Sequence, residues 1–470
     1  MKRYAITALL AAGFAAGAAL ADPVVVNYAL RSTAGLSAEG DRSLGSDPAS
    51  DDRQVGYLNL APRLLIEFAP SWSAYVRARA FLPTGSIAPL DTGAPVNDSR
   101  QQRSFIGLSE LFLQYRGLTS YPGEALNLGR QHIRQPGSEW WDQDIDALRW
   151  LVDTSDRRFD VGVARQLASY RSDGVPVLAR QRRRSYLFAG AGADWQPGQR
   201  VGVQLTHAVD DGRGPAIGDA VGADSKLADV RLTWLGLSAD NGYHDARRRQ
   251  PLSYWGEAIG MAGRQTLATV GPDGLVDGRD RQRLLAWAAN AGLRWRPTVT
   301  GPFAVGGQIG HGSGGRRSQY QQTGVQSNTS SFAGTRALVN RYNEALGAEL
   351  GNLRVASGYL SLNFEDQDLS AILSNFSRDD RQQSVITNGV TAGTVNTRRA
   401  LGNGLDLIAT HYFGRQHRAQ RLLDSGDAYV AQQQRSQLSL RASMFDPGAA
   451  YGAGADRQYR VLLEATLWLD

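Results

Sequence analysis

Residues 285–295 read Leu-Ala-Trp-Ala-Ala-Asn-Ala-Gly-Leu-Arg-Trp. Leu285, Trp287, Ala289, Ala291, Leu293 and Trp295 fall on one face of an extended chain. Ala286, Ala288, Asn290, Gly292 and Arg294 fall on the other. Side chains of a strand point alternately to its two sides, so this stretch predicts a β-strand with one apolar and one small or polar face. The pattern recurs at 57–68, where Leu58, Leu60, Pro62, Leu64, Ile66 and Phe68 oppose Asn59, Ala61, Arg63, Leu65 and Glu67. It recurs at 73–81, at 438–444 and at 459–467, where Tyr459, Val461, Leu463, Ala465 and Leu467 oppose Arg460, Leu462, Glu464 and Thr466. Residues 105–115 and 125–133 alternate poorly, which suits strands packed against inward-folded loops.

Between the strands lie clusters of Gly, Pro, Asn and Asp. Short connectors such as 69–71 and 196–198 alternate with long polar ones at 37–54, 84–103 and 312–335. Short turns at one end and long loops at the other are the pattern of an outer-membrane β-barrel, whose closure pairs every backbone group in a solvent that offers no hydrogen bonds. Residues 1–21 place Lys2 and Arg3 before an apolar run and Ala19-Leu20-Ala21, the order of a secretory signal peptide cleaved after Ala21. Removing 21 of 470 residues leaves 449. At roughly 25 residues per strand and connection, that makes about 18 strands in one chain, a single all-β domain over 22–470.

Composition narrows the chemistry. The absence of Cys excludes disulfides, thiolate metal sites and cysteine nucleophiles. The chain contains no second apolar run long enough for a transmembrane helix. Of its 51 basic residues only Lys2 and Lys226 are lysine, so 51 − 2 = 49 are arginine. With apolar faces on lipid, the inward set contains Arg31, Arg63, Arg77, Arg79, Arg231, Arg294, Arg441 and Arg460. It is opposed by fewer acids, namely Glu67, Asp160, Asp406 and Glu464. Guanidinium is permanently charged and pairs bidentately with carboxylates, so such a lumen favours anions; single arginines could equally brace the wall against acidic neighbours.

The six histidines have no metal-ligand spacing. Gly312-Ser-Gly-Gly315 lacks the lysine of a phosphate-binding loop and reads as a surface loop. Asp142, Asp144 and Asp146 lack the Gly and terminal Glu of a calcium loop. Residues 136–150, rich in Trp and Asp, suit either sugar contact or a packed loop. No catalytic set, cofactor site or nucleic-acid signal stands out.

Several segments resemble the alginate-export porins of Gram-negative outer membranes. Among them are Gly117 to Glu124, Leu128-Gly-Arg-Gln131, Asp146 to Trp150, Leu232 to Gly236 and Pro251 to Trp255. Gly310 to Gly314, Gln321 to Gly324, Ser327-Asn328, Phe332 to Arg336, Glu349 to Leu353, Asp446 to Gly448 and Ala450 to Gly452 follow in order. The resemblance implies a monomeric 18-stranded barrel in outer-membrane lipid that passes an anionic polysaccharide (alginate or a similar polyuronate) to the exterior. It also implies a periplasmic tetratricopeptide scaffold lipoprotein and an inner-membrane polymerising complex as partners. Arg130, Arg134, Asp142, Asp173, Arg336, Arg341 and Arg441 match the family's charged positions, and Arg31 matches if one gap is allowed. Ser109, His132, Leu338, Gly347 and Ser439 stand where the resemblance implies arginines of a constriction, while Arg77 and Arg79 replace uncharged residues. The long connection 414–434 falls on the periplasmic side, and the resemblance implies that it occludes the pore at rest. An uptake porin for small anions or oligosaccharides is the alternative, and a barrel hydrolase is a third reading that lacks a Ser/His/acid set.

Overall fold

The alternation seen at 285–295 runs through the whole chain, and burial follows it. In the computed structural model Leu285, Trp287, Leu293 and Trp295 are exposed, whereas Ala286, Ala288, Asn290 and Arg294 are buried. Large apolar side chains therefore point outward and small or polar ones inward. That is the reverse of a water-soluble sheet and the order required of a barrel whose solvent is hydrocarbon. The structure describes residues 24–46, 52–85, 104–121, 123–178, 181–211, 214–222, 225–245, 250–414 and 436–469. The expected signal peptide and the expected plug at 414–434 (Gly414 aside) lie outside them, as does most of the connection 84–103.

The strands are β1 (Val25–Gly40), β2 (Arg53–Ala69), β3 (Trp72–Pro83), β4 (Phe105–Tyr115), β5 (Glu124–Arg134), β6 (Asp142–Asp153) and β7 (Arg157–Arg165). They continue as β8 (Arg184–Gln196), β9 (Gln199–Asp210), β10 (Ala228–Asp240), β11 (Leu252–Val270), β12 (Val276–Trp295) and β13 (Phe303–Gly312). The short β14 (Thr329–Ser330) and β15 (Val339–Asn340) pair only with each other. Then come β16 (Leu353–Asn363), β17 (Gln367–Arg378), β18 (Ala400–Phe413), β19 (Ser436–Pro447) and β20 (Gln458–Leu469). All but β14 and β15 form one 18-stranded sheet, antiparallel throughout. It closes where β1 meets β20, from Leu30 opposite Leu469 to Gly40 opposite Tyr459. Among the described residues the only helical element is a 3₁₀ turn, Ala449–Tyr451.

Short connections lie at the end where β1 begins and β20 finishes, for example 70–71, 154–156 and 197–198. That end is periplasmic by the barrel rule. Exposed aromatics ring it: Trp72, Trp195, Trp295, Phe303, Phe364 and Phe413. Their amphipathic rings suit the interface between headgroups and hydrocarbon. From Trp295 upward, the apolar outer face of β12 ends at Leu285, an 11-residue span. About 9–11 residues suffice for a tilted strand to cross the hydrocarbon.

Two segments leave the wall and fill the lumen. The hairpin of β5 and β6 pairs with β4 only up to Arg130 opposite Leu111, and with β7 only from Asp146 downward. Beyond those points both faces of the hairpin are buried, Ile133 and Ile145 as well as His132 and Asp144. The departure occurs at Gly129, whose φ of 129° suits glycine and where a Cβ would lie 2.4 Å from the Leu111 carbonyl oxygen. The vacated stretch of β4 is instead taken by the β7–β8 connection, where Gly107 bridges to Arg171. The poor alternation of 105–115 and 125–133 has this cause: Ser109 is a bulge that shifts the inward parity of β4, and the tip of β5 has no lipid face.

The second segment is the connection 313–352 between β13 and β16. Its start, Gly312-Ser-Gly-Gly315, reads as a surface loop, but Gly312, Ser313 and Gly314 are buried and only 316–318 are exposed. Farther on, Phe332, Val339, Tyr342, Ala345 and Leu346 are fully buried inside the barrel. It descends to the periplasmic mouth, where the Arg336 guanidinium donates to the carbonyls of Phe364 and Glu365 in the β16–β17 turn. Loop residues Tyr320, Tyr342 and Leu346 form one apolar cluster with Trp140 and Trp141 of the hairpin tip and with wall residues Tyr186, Trp234, Ile259 and Phe376.

Candidate functional site

Closure of the sheet creates a lumen, and charged side chains line what the two segments leave of it. Period two aims Arg31, Arg63, Arg77, Arg79, Arg294, Arg441 and Arg460 inward from β1, β2, β3, β12, β19 and β20. Arg231 does not join them. It is exposed on the outer wall of β10, because Val230, Leu232 and Trp234 take the inward positions against the lumen loop.

Arg77, Arg441 and Arg460 meet carboxylates, as do Arg130, Arg134, Arg336 and Arg341 of the hairpin and loop. Arg77 lies 2.7 Å from Glu110 and 2.8 Å from Asp144. His132 sits between Asp142, 3.0 Å from Nε2, and Asp144, 2.8 Å from Nδ1. Arg134 holds Asp142 at 3.2 Å and donates to the Thr329 carbonyl, tying the hairpin to the loop. Arg130 lies 3.6 Å from Asp146 and its guanidinium stacks on Tyr170. Asp142 and Asp144 thus share His132 and each take an arginine of their own, while Asp146 pairs separately with Arg130. Asp173 pairs with Arg171 in the β7–β8 connection.

Arg441 of β19 meets Glu344 of the loop at 3.4 Å, and across the seam where β20 meets β1, Arg460 of β20 meets Glu39 of β1 at 3.0 Å. Arg336 pairs with Asp368 at 2.9 Å and lies over Tyr412. Others are held by rings and carbonyls. Arg63 lies 4.7 Å above the Trp468 ring, with Arg31 6.0 Å from the same ring. Arg79 donates to Asn59 and faces Phe81 and Phe105. Arg294 donates to the Tyr243 carbonyl and braces the β10–β11 connection.

Arg341 carries the most enclosed pair, with Glu139 of the hairpin tip; both side chains are at most 1% exposed. Glu139 also accepts from Tyr342 and Asn290, each at 2.7 Å. Burial opposes the charge of Arg341, but Glu139 and the neighbouring tyrosines outweigh it and move its pKa up. Beside it, burial together with Arg341 and Arg294 pushes the His244 imidazole well below its usual range and keeps it neutral. Trp140 and Trp141 are buried, so 136–150 is a packed element and not an open sugar platform.

At the positions where arginines were implied, Ser439 bonds Thr410 at 3.1 Å, and Gly347 occupies a left-handed turn at φ 57°. Several pairing acids were not anticipated: Glu39, Glu110, Glu139, Glu344 and Asp368. Parity along β1 and β17 gives Glu39 and Asp368. The bulge hides Glu110, and no periodicity marks the loop residues Glu139 and Glu344.

Comparison with known proteins agrees with this architecture. The chain matches the alginate export family over residues 27–462. It is 33% identical over 433 residues to alginate production protein AlgE of Pseudomonas aeruginosa, covering 89% of this chain and 86% of that one. The AlgE of Pseudomonas syringae pv. tomato is 30% identical over 473 residues, covering 94% and 93%. Among solved structures, Pseudomonas aeruginosa OccK2, determined in complex with glucuronate, superposes with a TM-score of 0.52. It is 11% identical, over 94% of this chain and 98% of that one. Acinetobacter baumannii OccAB1 gives 0.51 at 13% identity, over 95% and 97%. Both share the barrel fold. With the family matched along nearly its whole length, this outer-membrane barrel belongs to the alginate export family.

Proposed function

We propose that the chain conducts an anionic polyuronate, alginate or a close relative, from the periplasm to the exterior through the arginine-bearing sector of the lumen. The observation that carries this is the pairing of inward arginines with carboxylates that a uronate can replace. Arg77 with Glu110 and Asp144, Arg441 with Glu344, and Arg460 with Glu39 are such pairs. Their arginines are only partly enclosed, with side chains 11–18% exposed. A sugar carboxylate has the same chemistry as these acids. It can take an arginine for a moment while the acid returns to water or a neighbour, so each contact is weak and reversible. Conduction needs that balance, since a polymer held tightly at every residue would not move.

Transport is passive, pushed by synthesis behind the pore. The partners under this proposal are an inner-membrane polymerising complex and a periplasmic tetratricopeptide scaffold lipoprotein, with the barrel acting as a monomer. Recording from the full chain in a planar bilayer tests the reading. Anions should carry most of the current, and oligouronate should block it reversibly. A cation-selective pore, or one indifferent to oligouronate while neutral oligosaccharide blocks it, would refute the proposal.

A further inference from the structure

The outer wall carries a cationic feature that lumen transport does not use. On β10 to β12 the outward positions run, from the periplasmic end, through apolar residues to the row Thr233, Ala262 and Leu285, in which Ala262 lies between the other two. The next outward row is Arg231, directly opposite Arg264, which is directly opposite Arg283. All three are exposed, and none of them meets a carboxylate among the described residues. Directly opposed residues on paired strands have Cβ atoms about 5 Å apart, and like charges so placed repel. Gly263 tightens the row, because its would-be Cβ lies 2.1 Å from the Arg231 carbonyl oxygen and β10 and β11 therefore run close together.

The height of the row is set by the span below it. Leu285–Trp295 supplies the hydrocarbon crossing, so the guanidiniums stand one pleat, about 7 Å, above its upper edge on the side of the long loops. That is the headgroup level of the outer leaflet. Arg281 and Arg279 continue upward on β12, where Arg279 is engaged by Asp229 at 3.3 Å. The outer faces of these three strands hold five arginines and two acids, Asp229 and Asp277, and Asp277 accepts from Thr269. Elsewhere the upper outer wall exposes Leu36, Leu82, Ile106 and Leu187, and its outward Arg354 and His311 are both engaged by Asp379.

We infer that Arg231, Arg264 and Arg283 form a docking site for a phosphorylated lipid of the outer leaflet, its phosphate monoesters shared among the three guanidiniums. A dianionic phosphate between adjacent cations turns their mutual repulsion into paired, charge-assisted hydrogen bonds, and the acyl chains lie along the apolar faces below. The site stands on the barrel's placement in the membrane and not on what the lumen conducts.

The test uses the full chain folded in a neutral detergent, its thermal transition followed while bisphosphorylated lipid A is added. Wild type should be stabilised, with an apparent affinity about tenfold above that of the R231Q/R264Q/R283Q variant. Fully dephosphorylated lipid A should give no comparable shift, and neither should inorganic phosphate at equal concentration. Without lipid the triple variant should be no less stable than wild type, because it removes adjacent like charges. If the triple variant does not fold, R264Q removes the central cation and allows the same comparison. Equal stabilisation of wild type and variant by lipid A, or equal stabilisation of wild type by the dephosphorylated lipid, would overturn the site. An inorganic phosphate effect matching that of lipid A would overturn the lipid assignment.

Discussion

Replacing Glu139 with Gln tests what seats the lumen loop. The Glu139 carboxylate takes Arg341, the Tyr342 hydroxyl and the Asn290 amide together, in a site closed to water. Removing its charge leaves the Arg341 guanidinium, which cannot shed its proton, with Trp255 at 4.5 Å, Gln308 and the Glu257 carboxyl that hydrogen-bonds Glu139, in place of its direct ion pair. Breaking one side of a buried ion pair costs about 3–5 kcal/mol. At 1.4 kcal/mol per decade, that raises the population of the unseated loop by about two to three and a half decades. The barrel wall should survive, since its own ladders close the sheet without Glu139. The loss should therefore appear as loop release: noisier, larger single-channel currents, and tryptic cleavage after Arg341, which is buried in the wild type. The double variant E139Q/R341M removes the stranded charge and should recover much of the protection, a non-additivity of about 0.5–3 kcal/mol. Wild-type currents and protease resistance in E139Q, or a double variant as perturbed as the two singles added, would refute this account of how the loop is held.

Other perturbations probe the wall, the lumen charge and the buried imidazole. Leu235→Arg, at an exposed apolar position on the span of β10, should cost about 2–4 kcal/mol in urea titrations of refolding into bilayers, whereas Leu235→Phe should be nearly neutral. Arg77→Gln leaves Glu110 and Asp144 without their shared cation, so the reversal potential in a salt gradient should shift toward cation preference; an unchanged potential would remove Arg77 from the conduction path. His244 has its folded-state pKa pushed far below the unfolded value of about 6.5, so below that pH the unfolded chain binds a proton that the folded one refuses. Stability should thus fall with decreasing pH by up to about 1.4 kcal/mol per unit from this group, and be untouched above pH 7. His244→Gln should flatten the thermal-melting slope between about pH 6.5 and 5 relative to wild type, and identical slopes would contradict it.

Much of the wall was legible in the order of residues. Leu285 to Trp295 specifies both a strand and its lipid face, because the face rich in Leu and Trp is continuous and the other carries Asn290 and Arg294. Arg231 shows where this logic fails. On β10 both faces contain large apolar residues: Leu235 and Leu237 meet lipid, while Val230, Leu232 and Trp234 meet the loop inside. Hydropathy separates two faces only when one of them is polar, so a strand covered on both sides gives no orientation. The same ambiguity hid the upper part of β5, where His132 and Ile133 are both buried.

The sequence alone determined the class of fold, its approximate strand number, its orientation and its family, since each depends on local periodicity, connection length or motif order. Tertiary structure decided which arginines are free to act. Glu139 and Arg341 are separated by 202 residues, and Tyr57 and Glu464 by 407. No periodicity links such partners, because they meet only when a closed sheet brings its ends together and two segments fold into its lumen. The excess of arginine over acid in the sequence became, in the folded barrel, a mixture of carboxylate pairs and ring or carbonyl contacts inside and, on the outer wall, a row of three that meets no carboxylate among the described residues.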